Sequence, residues 1–232
     1  MPIVELFRRH GLLVVIAALI FAGNNAAGYM ATGGFIPSYA SSPAVGHERT
    51  DVLVAVTYGA GVWFVFTYLA GYLSDKIGRK NTYFLGFGAQ LLACFPLFWL
   101  INTGSLPMLY VAMTIFSVGL GLAYGPQAAL YSEMFPASVR FSGVSISYAL
   151  GAILGGAFAP TIATALVQAT GGTEAVSLYL VGMTLISLVA VSLVRDRSGL
   201  DLSIRHQAEQ EVGAHVFDRR TAAVPNEPTQ VN

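Results

Sequence analysis

Gly71-Tyr72-Leu73-Ser74-Asp75-Lys76-Ile77-Gly78-Arg79-Lys80 is a charged decapeptide wedged between two stretches apolar enough to cross a bilayer. It decides the fold, because so short a connection sets two membrane-length segments side by side and antiparallel. Gly78 supplies a tight turn, and Asp75 offers an N-cap or a partner for a helix dipole. Lys76, Arg79 and Lys80 hold the turn at the cytoplasmic surface. Taken singly, each residue is explained by a positively charged stop between helices.

Outward from this turn the chain is lipid-compatible. Of 232 residues, 55% are hydrophobic and 10% charged, against about 25% charged in soluble domains; the mean hydropathy is +0.64. A spanning helix takes roughly 20 apolar residues at 1.5 Å each. Six segments qualify: 12–36, 52–73, 82–101, 106–131, 143–168 and 176–194, none of which holds Asp, Glu, Lys, Arg or His. The expected architecture is an all-α membrane protein with six transmembrane helices, preceded by a linker end at 1–11. A polar, largely disordered tail is expected at 195–232, with room for a short helix around 202–212. A regulatory segment is the alternative for that tail.

The opening residues do not fit a signal peptide, because their apolar run is too long and no small-residue cleavage site follows a short core. With the N-terminus in the cytoplasm, Arg8, Arg9, Lys76, Arg79, Lys80, Arg140, Arg195 and Arg197 fall inside and only Arg49 outside. The positive-inside rule therefore places both termini in the cytoplasm. A formal net charge of zero gives a nucleic-acid partner no electrostatic support. The lone Cys94 falls mid-span as a small packing residue. No cofactor, metal site or catalytic residue is expected.

Polar side chains within the spans fall in stripes. Asn25, Tyr29 and Thr32 share one face of the first segment, with Asn24 beside them. Tyr124, Gln127 and Tyr131 share one face of the fourth, while Tyr58 and Tyr148 add single phenols in the second and fifth. An amide facing hydrocarbon costs about 4–8 kcal/mol on a cyclohexane scale. The stripes must therefore meet protein or water: either helix-to-helix hydrogen bonds or a substrate cavity. Asn24 and Asn25 are the leading cavity candidates. Glycines at Gly121-x-x-x-Gly125 and Gly151-x-x-x-Gly155 have the spacing for close helix packing, whereas Pro126 among polar neighbours points to a cavity. The third and sixth segments, poor in polar groups, are expected to be peripheral.

The decapeptide resembles the loop motif of the major facilitator superfamily, Gly-x-Leu-Ser/Ala-Asp-Arg/Lys-x-Gly-Arg-Arg/Lys, with every fixed position filled. Glu133-Met134-Phe135-Pro136-Ala137-Ser138-Val139-Arg140-Phe141-Ser142-Gly143 is similar to the Glu-x-Phe-Pro-x-x-x-Arg-x-x-Gly signature after the tenth helix of such transporters. The stretch from Val144 to Leu166 resembles the metabolite:proton symporters, which move compatible solutes, di- and tricarboxylates and shikimate-like acids into bacteria. Residues 3–197 lay onto helices seven to twelve. The resemblance implies the C-terminal half of a major facilitator fold, built as two three-helix repeats in a bacterial inner membrane. It also implies secondary transport of a small organic metabolite by alternating access.

Relatives often carry an acidic residue just before the asparagine of the seventh helix; Gly23 stands there in this chain. A coupling proton would then ride on a missing N-terminal six-helix half. On this reading Asn24, Asn25, Tyr29, Tyr58, Tyr124, Gln127, Tyr131 and Tyr148 line the substrate cavity. Asp75, Arg79, Glu133 and Arg140 form a cytoplasmic gate. Asp75 is expected at the start of the fifth helix, near Ser142 and Gly143, and Glu133 to pair with Arg79 or Arg140. An intramembrane hydrolase lacks its Ser–His or Asp pair in the spans. A six-helix channel or permease subunit and a truncated, non-transporting remnant are the remaining alternatives.

Overall fold

The computed structural model describes residues 2–32, 34–194, 202 and 210. They form nine α-helices: α1 (Pro2–Thr32), α2 (Phe35–Ala40), α3 (Arg49–Ile77), α4 (Arg79–Ile101), α5 (Leu106–Tyr124), α6 (Gln127–Met134), α7 (Arg140–Gly151), α8 (Ala159–Thr170) and α9 (Glu174–Leu193). Joined in places across short breaks, they make six spans long and apolar enough to cross a membrane: Leu6–Ala40, Arg49–Ile77, Arg79–Ile101, Leu106–Met134, Arg140–Thr170 and Glu174–Leu193.

The breaks have local causes. The first span bends where Gly34, at φ 116°, begins α2. The fifth widens into a π-helical segment, Ala152–Ala157, just before Pro160. Proline lacks an N–H and crowds the carbonyl four residues back, so a looser turn there relieves the ladder. Residues 1–11, expected as a linker end, are helical from Pro2, with non-helical dihedrals only at His10. The decapeptide is not a loop either. Helix runs on both sides of Gly78, whose φ of 93° and ψ of 153° lie in a region essentially reserved for glycine. One residue reverses the chain. The helix expected around 202–212 falls on residues outside those described, apart from Leu202 and Gln210.

Packing interleaves the two triplets. The first span lies against the fifth and sixth, the fourth against the second and third, and the third against the sixth. Exchanging first with fourth, second with fifth and third with sixth leaves that pattern unchanged, as two structurally related repeats require. Glycine permits the closest crossings. A methyl on Gly125 would lie 2.5 Å from the Thr67 carbonyl oxygen, and one on Gly151 would lie 2.7 Å from that of Ala18. A methyl on Gly155 would overlap the Ala22 carbonyl outright. The glycine pairs are therefore packing surfaces, the fourth span on the second and the fifth on the first.

Two apolar clusters fill the bundle. One gathers Met30, Ile36, Phe98, Phe116 and Leu180; the other gathers Ile20, Phe87, Leu130, Phe135 and Val191. Between them runs a thin polar layer. Gln90, halfway along α4, donates from Nε2 to Thr184 Oγ1 at 3.1 Å and to the Gly23 carbonyl at 3.4 Å. Ser187 accepts from Gly23 N–H at 2.8 Å and donates to the Leu19 carbonyl at 2.6 Å. The third and sixth spans, expected to be peripheral, are more buried than the second and fifth, and polar groups bind them together. Ser177, Leu180, Thr184, Ser187 and Val191 form one buried stripe of α9.

Adding a methyl at Gly155 should force the first and fifth spans apart, at about 1–3 kcal/mol for an overpacked contact. Gly155→Ala is expected to lower the thermal unfolding midpoint in detergent. Gly61→Ala, where a methyl meets nothing within 4 Å, should leave it unchanged or raise it. Equal midpoints would contradict the packing.

Candidate functional site

The expected cavity residues divide into two sets. Tyr29, Tyr58 and Tyr124 are exposed, and Asn25 and Tyr148 are partly so. Asn24, Gln127 and Tyr131 are buried. The exposed set spreads over the first, second and fourth spans, on an open face of the bundle. Gly156 lets the Tyr29 ring and the Asn25 amide lie close over the π-helical segment: a methyl there would be 2.6 Å from the ring and 3.1 Å from Asn25 Nδ2. Tyr58 stacks edge-on to Tyr110 at 5.3 Å and accepts from Thr114 Oγ1 at 3.4 Å.

Trp63 joins these pieces. Its ring covers Gly28 on α1 and meets Tyr124 edge-on at 6.0 Å, so α1, α3 and α5 share one aromatic contact. The second span contains a single tryptophan facing a glycine of the first, but sequence spacing alone does not pair residues 35 apart.

The buried set is held differently. Tyr131 donates its hydroxyl to the Ala17 carbonyl and stacks edge-on to Tyr148 at 5.2 Å, which in turn meets Phe21 at 4.7 Å. Those rings tie the fourth and fifth spans to the first. Asn24 Oδ1, Asn25 Nδ2 and Gln127 Nε2 are enclosed, yet none makes a hydrogen bond among the described residues. Such a group in an apolar interior is costly.

At the opposite end of the site lies a charged cluster built on the Gly78 reversal. Arg79 opens α4 and is only 15% exposed; its Nε donates to Glu133 Oε1 at 3.2 Å, on a carboxylate 8% exposed at the end of α6. Its Nη1 donates to Ser74 Oγ at 2.7 Å and to Asp75 Oδ1. Lys80 donates to the Ser192 and Val194 carbonyls at 2.7 and 2.9 Å, capping the C-terminal end of α9. Two cations at a helix N-terminus oppose its dipole. Glu133 and the α9 carbonyls offset that, so one reversal fastens the third span to the fourth and the sixth.

Two expectations about this cluster change. Asp75, expected to accept backbone bonds at Ser142 or Gly143, is 64% exposed and pairs with Arg79 within its own turn; Gly143 N–H goes to the Val139 carbonyl at 2.8 Å. A four-residue spacing across Gly78 lets the carboxylate reach its neighbour first. Of the two partners open to Glu133, Arg79 is the one bonded. Arg140 instead donates to the Phe135 carbonyl at 3.2 Å, the Leu202 carbonyl at 3.0 Å and Gln210 Oε1 at 3.0 Å. Gln210 Oε1 also accepts from Ala137 N–H at 2.9 Å. Lys80 was legible only as a topological charge.

Comparison with known proteins gives a consistent picture. The model of the family described as Major Facilitator Superfamily matches residues 1–151. The ectoine/proline transporter ProP of Corynebacterium glutamicum is 29% identical over 82% of this chain and 38% of its own length. Inner membrane metabolite transport protein YhjE of Escherichia coli is 32% identical over 84% of the chain and 45% of its length. The glycine betaine/proline/ectoine/pipecolic acid transporter OusA of Dickeya dadantii is 26% identical over 82% and 37%. The chain thus spans less than half the length of each.

Arg79→Gln and Glu133→Gln should each destabilise the bundle by about 1–3 kcal/mol, the cost of leaving a buried partner unmatched. The double variant should lose less than the sum, with a coupling of about 1 kcal/mol or more. Asp75→Asn, at an exposed pair, should change little. Denaturant titration of the four proteins checks the cycle; strictly additive losses would mean that the pair is not coupled.

Proposed function

Because this chain belongs to the Major Facilitator Superfamily, we propose that it supplies six helices of a secondary transporter for a small zwitterionic or organic-acid solute. The observation that carries the reading is the open face on which Asn25, Tyr29, Tyr58 and Tyr124 stand, beside enclosed amides with bonding capacity to spare. Amides and phenols bind carboxylates and hydroxyls, and aromatic faces attract quaternary or secondary ammonium groups. Names of similar proteins that include proline, ectoine and glycine betaine agree with that chemistry. The second and fifth spans are the least buried, which suits a surface met by a further six-helix unit across the substrate path.

Transport follows alternating access about this midplane face. The charged cluster is the cytoplasmic gate: Arg79–Glu133 and the Lys80 cap hold the third, fourth and sixth spans together in the outward-open state, with Asp75 steadying Arg79. Both termini are cytoplasmic and the membrane is a bacterial inner one. The six apolar segments offer a coupling proton no Asp, Glu or His to ride on, so its carrier lies outside those segments.

Uptake of radiolabelled proline, glycine betaine and a shikimate-like acid tests the reading, in cells without their own carriers and with the chain in its native coding context. At least one solute should accumulate. Tyr29→Ala and Asn25→Ala should raise its KM about tenfold, roughly 1.4 kcal/mol of lost contact, at unchanged membrane abundance. Absence of uptake for every solute, or variants with unaltered KM, would overturn it.

The gate has its own readout. In Glu133→Gln, a cysteine placed on the substrate face should react faster with a cytoplasmic thiol reagent, by more than in Asp75→Asn. The same rates in both variants and the unaltered gate would remove Arg79–Glu133 from the mechanism.

A further inference from the structure

Arg140 opens α7, and all three of its guanidinium nitrogens donate to carbonyl oxygens. Nε reaches back to Phe135, the residue that caps α6, at 3.2 Å. Nη1 and Nη2 reach the Leu202 backbone carbonyl and Gln210 Oε1, both at 3.0 Å. Gln210 Oε1 accepts a second bond, from Ala137 N–H at 2.9 Å. One side-chain oxygen from beyond the sixth span thus holds two residues of the connection between the fourth and fifth. Gln210 is 1% exposed, whereas glutamine is ordinarily a surface residue. Burying its amide is favourable only where hydrogen bonds replace water, and a guanidinium donor makes such a bond about twice as strong as a neutral one.

The connection held in this way is the one that presents Glu133. Phe135 is buried with its ring against Gly143, where a methyl would come within 2.5 Å of it. Glu133 stands two residues before Phe135, and its carboxylate accepts from Arg79 at 3.2 Å. The sixth span does not hold this connection itself, because α9 packs mainly on α1 and α4. A path of bonds therefore runs from Gln210 through Ala137 and Arg140 to the backbone that sets where Glu133 stands.

We propose that Gln210 is a positioning residue for the cytoplasmic gate: its side-chain oxygen fixes the 135–140 connection so that Glu133 stays within reach of Arg79. The inference rests on the gate reading of Arg79–Glu133 and gives Arg140 its place beside that pair. Loss of the oxygen frees the connection, lets Glu133 withdraw and shifts the protein toward the inward-open state. Gln210→Leu removes the acceptor while keeping a buried side chain of similar size. Gln210→Glu keeps the acceptor and sets a negative charge against Arg140.

Hydrogen–deuterium exchange and thiol labelling of the full chain in membranes test this together, with the buried Cys94 replaced by serine and one cysteine placed on the substrate face. In Gln210→Leu the peptide containing Ala137 should exchange faster, and the cysteine should react with a cytoplasmic thiol reagent about fivefold faster, the scale of one net hydrogen bond. Gln210→Glu should hold both rates at or below those of the unaltered chain, and Glu133→Gln is the reference for an open gate. Unchanged exchange at Ala137 in Gln210→Leu would overturn the proposal. Equal acceleration in the Leu and Glu variants would also overturn it, by assigning the effect to packing rather than to the acceptor. Thiol rates unmoved by Gln210→Leu but raised by Glu133→Gln would sink the role of Gln210 and leave the gate standing. Rates unmoved by Glu133→Gln would remove the gate, and this inference with it.

Discussion

In hydrocarbon a polar group has no water to return to, and this constraint organises the molecule. Backbone groups close within helices, and charge withdraws to the span ends. The few polar side chains left inside are sorted by whether another helix meets them. Gln90, Thr184 and Ser187 are met, and they join three spans across the middle of the bundle. Asn24, Asn25 and Gln127 each retain an atom that no described residue meets. The same constraint thus divides the interior polar groups into those that another helix bonds and those that keep an unbonded atom.

At the charged end the logic reverses: there the difficulty is too much positive charge in one place. Arg79 and Lys80 enter a helix at its positive pole only because each has a distant acceptor, Glu133 for one and the carbonyl end of α9 for the other. Gly78 makes this geometry available, since a reversal in one residue delivers both cations to the same level as those acceptors. A longer loop would leave the cations in solvent, where such pairs contribute little.

Much of this was legible in the residues. The six apolar segments, the two glycine pairs and the tight turn at Gly78 rest on composition and short spacing, which report local physics directly. The Arg79–Glu133 pairing was legible as one of two options, because charge complementarity narrows partners without ranking geometry. Two features were not. Lys80 caps a helix 112 residues away, and Trp63 bridges Gly28 and Tyr124. Each depends on which spans become neighbours, a property of the interleaved packing. The stripe Ser177–Thr184–Ser187 carried a signal in its heptad-like spacing, but in so apolar a helix those small hydroxyls passed as scatter.

That interleaving bears on biogenesis. The first span finds its main neighbours in the fifth and sixth, so the ribosome must deliver more than a hundred further residues before the buried face of α1 is covered. Until then Asn24 and the small-residue strip around it would confront lipid or the insertion machinery. The buried face of α1 is therefore completed only once the fifth and sixth spans have followed it.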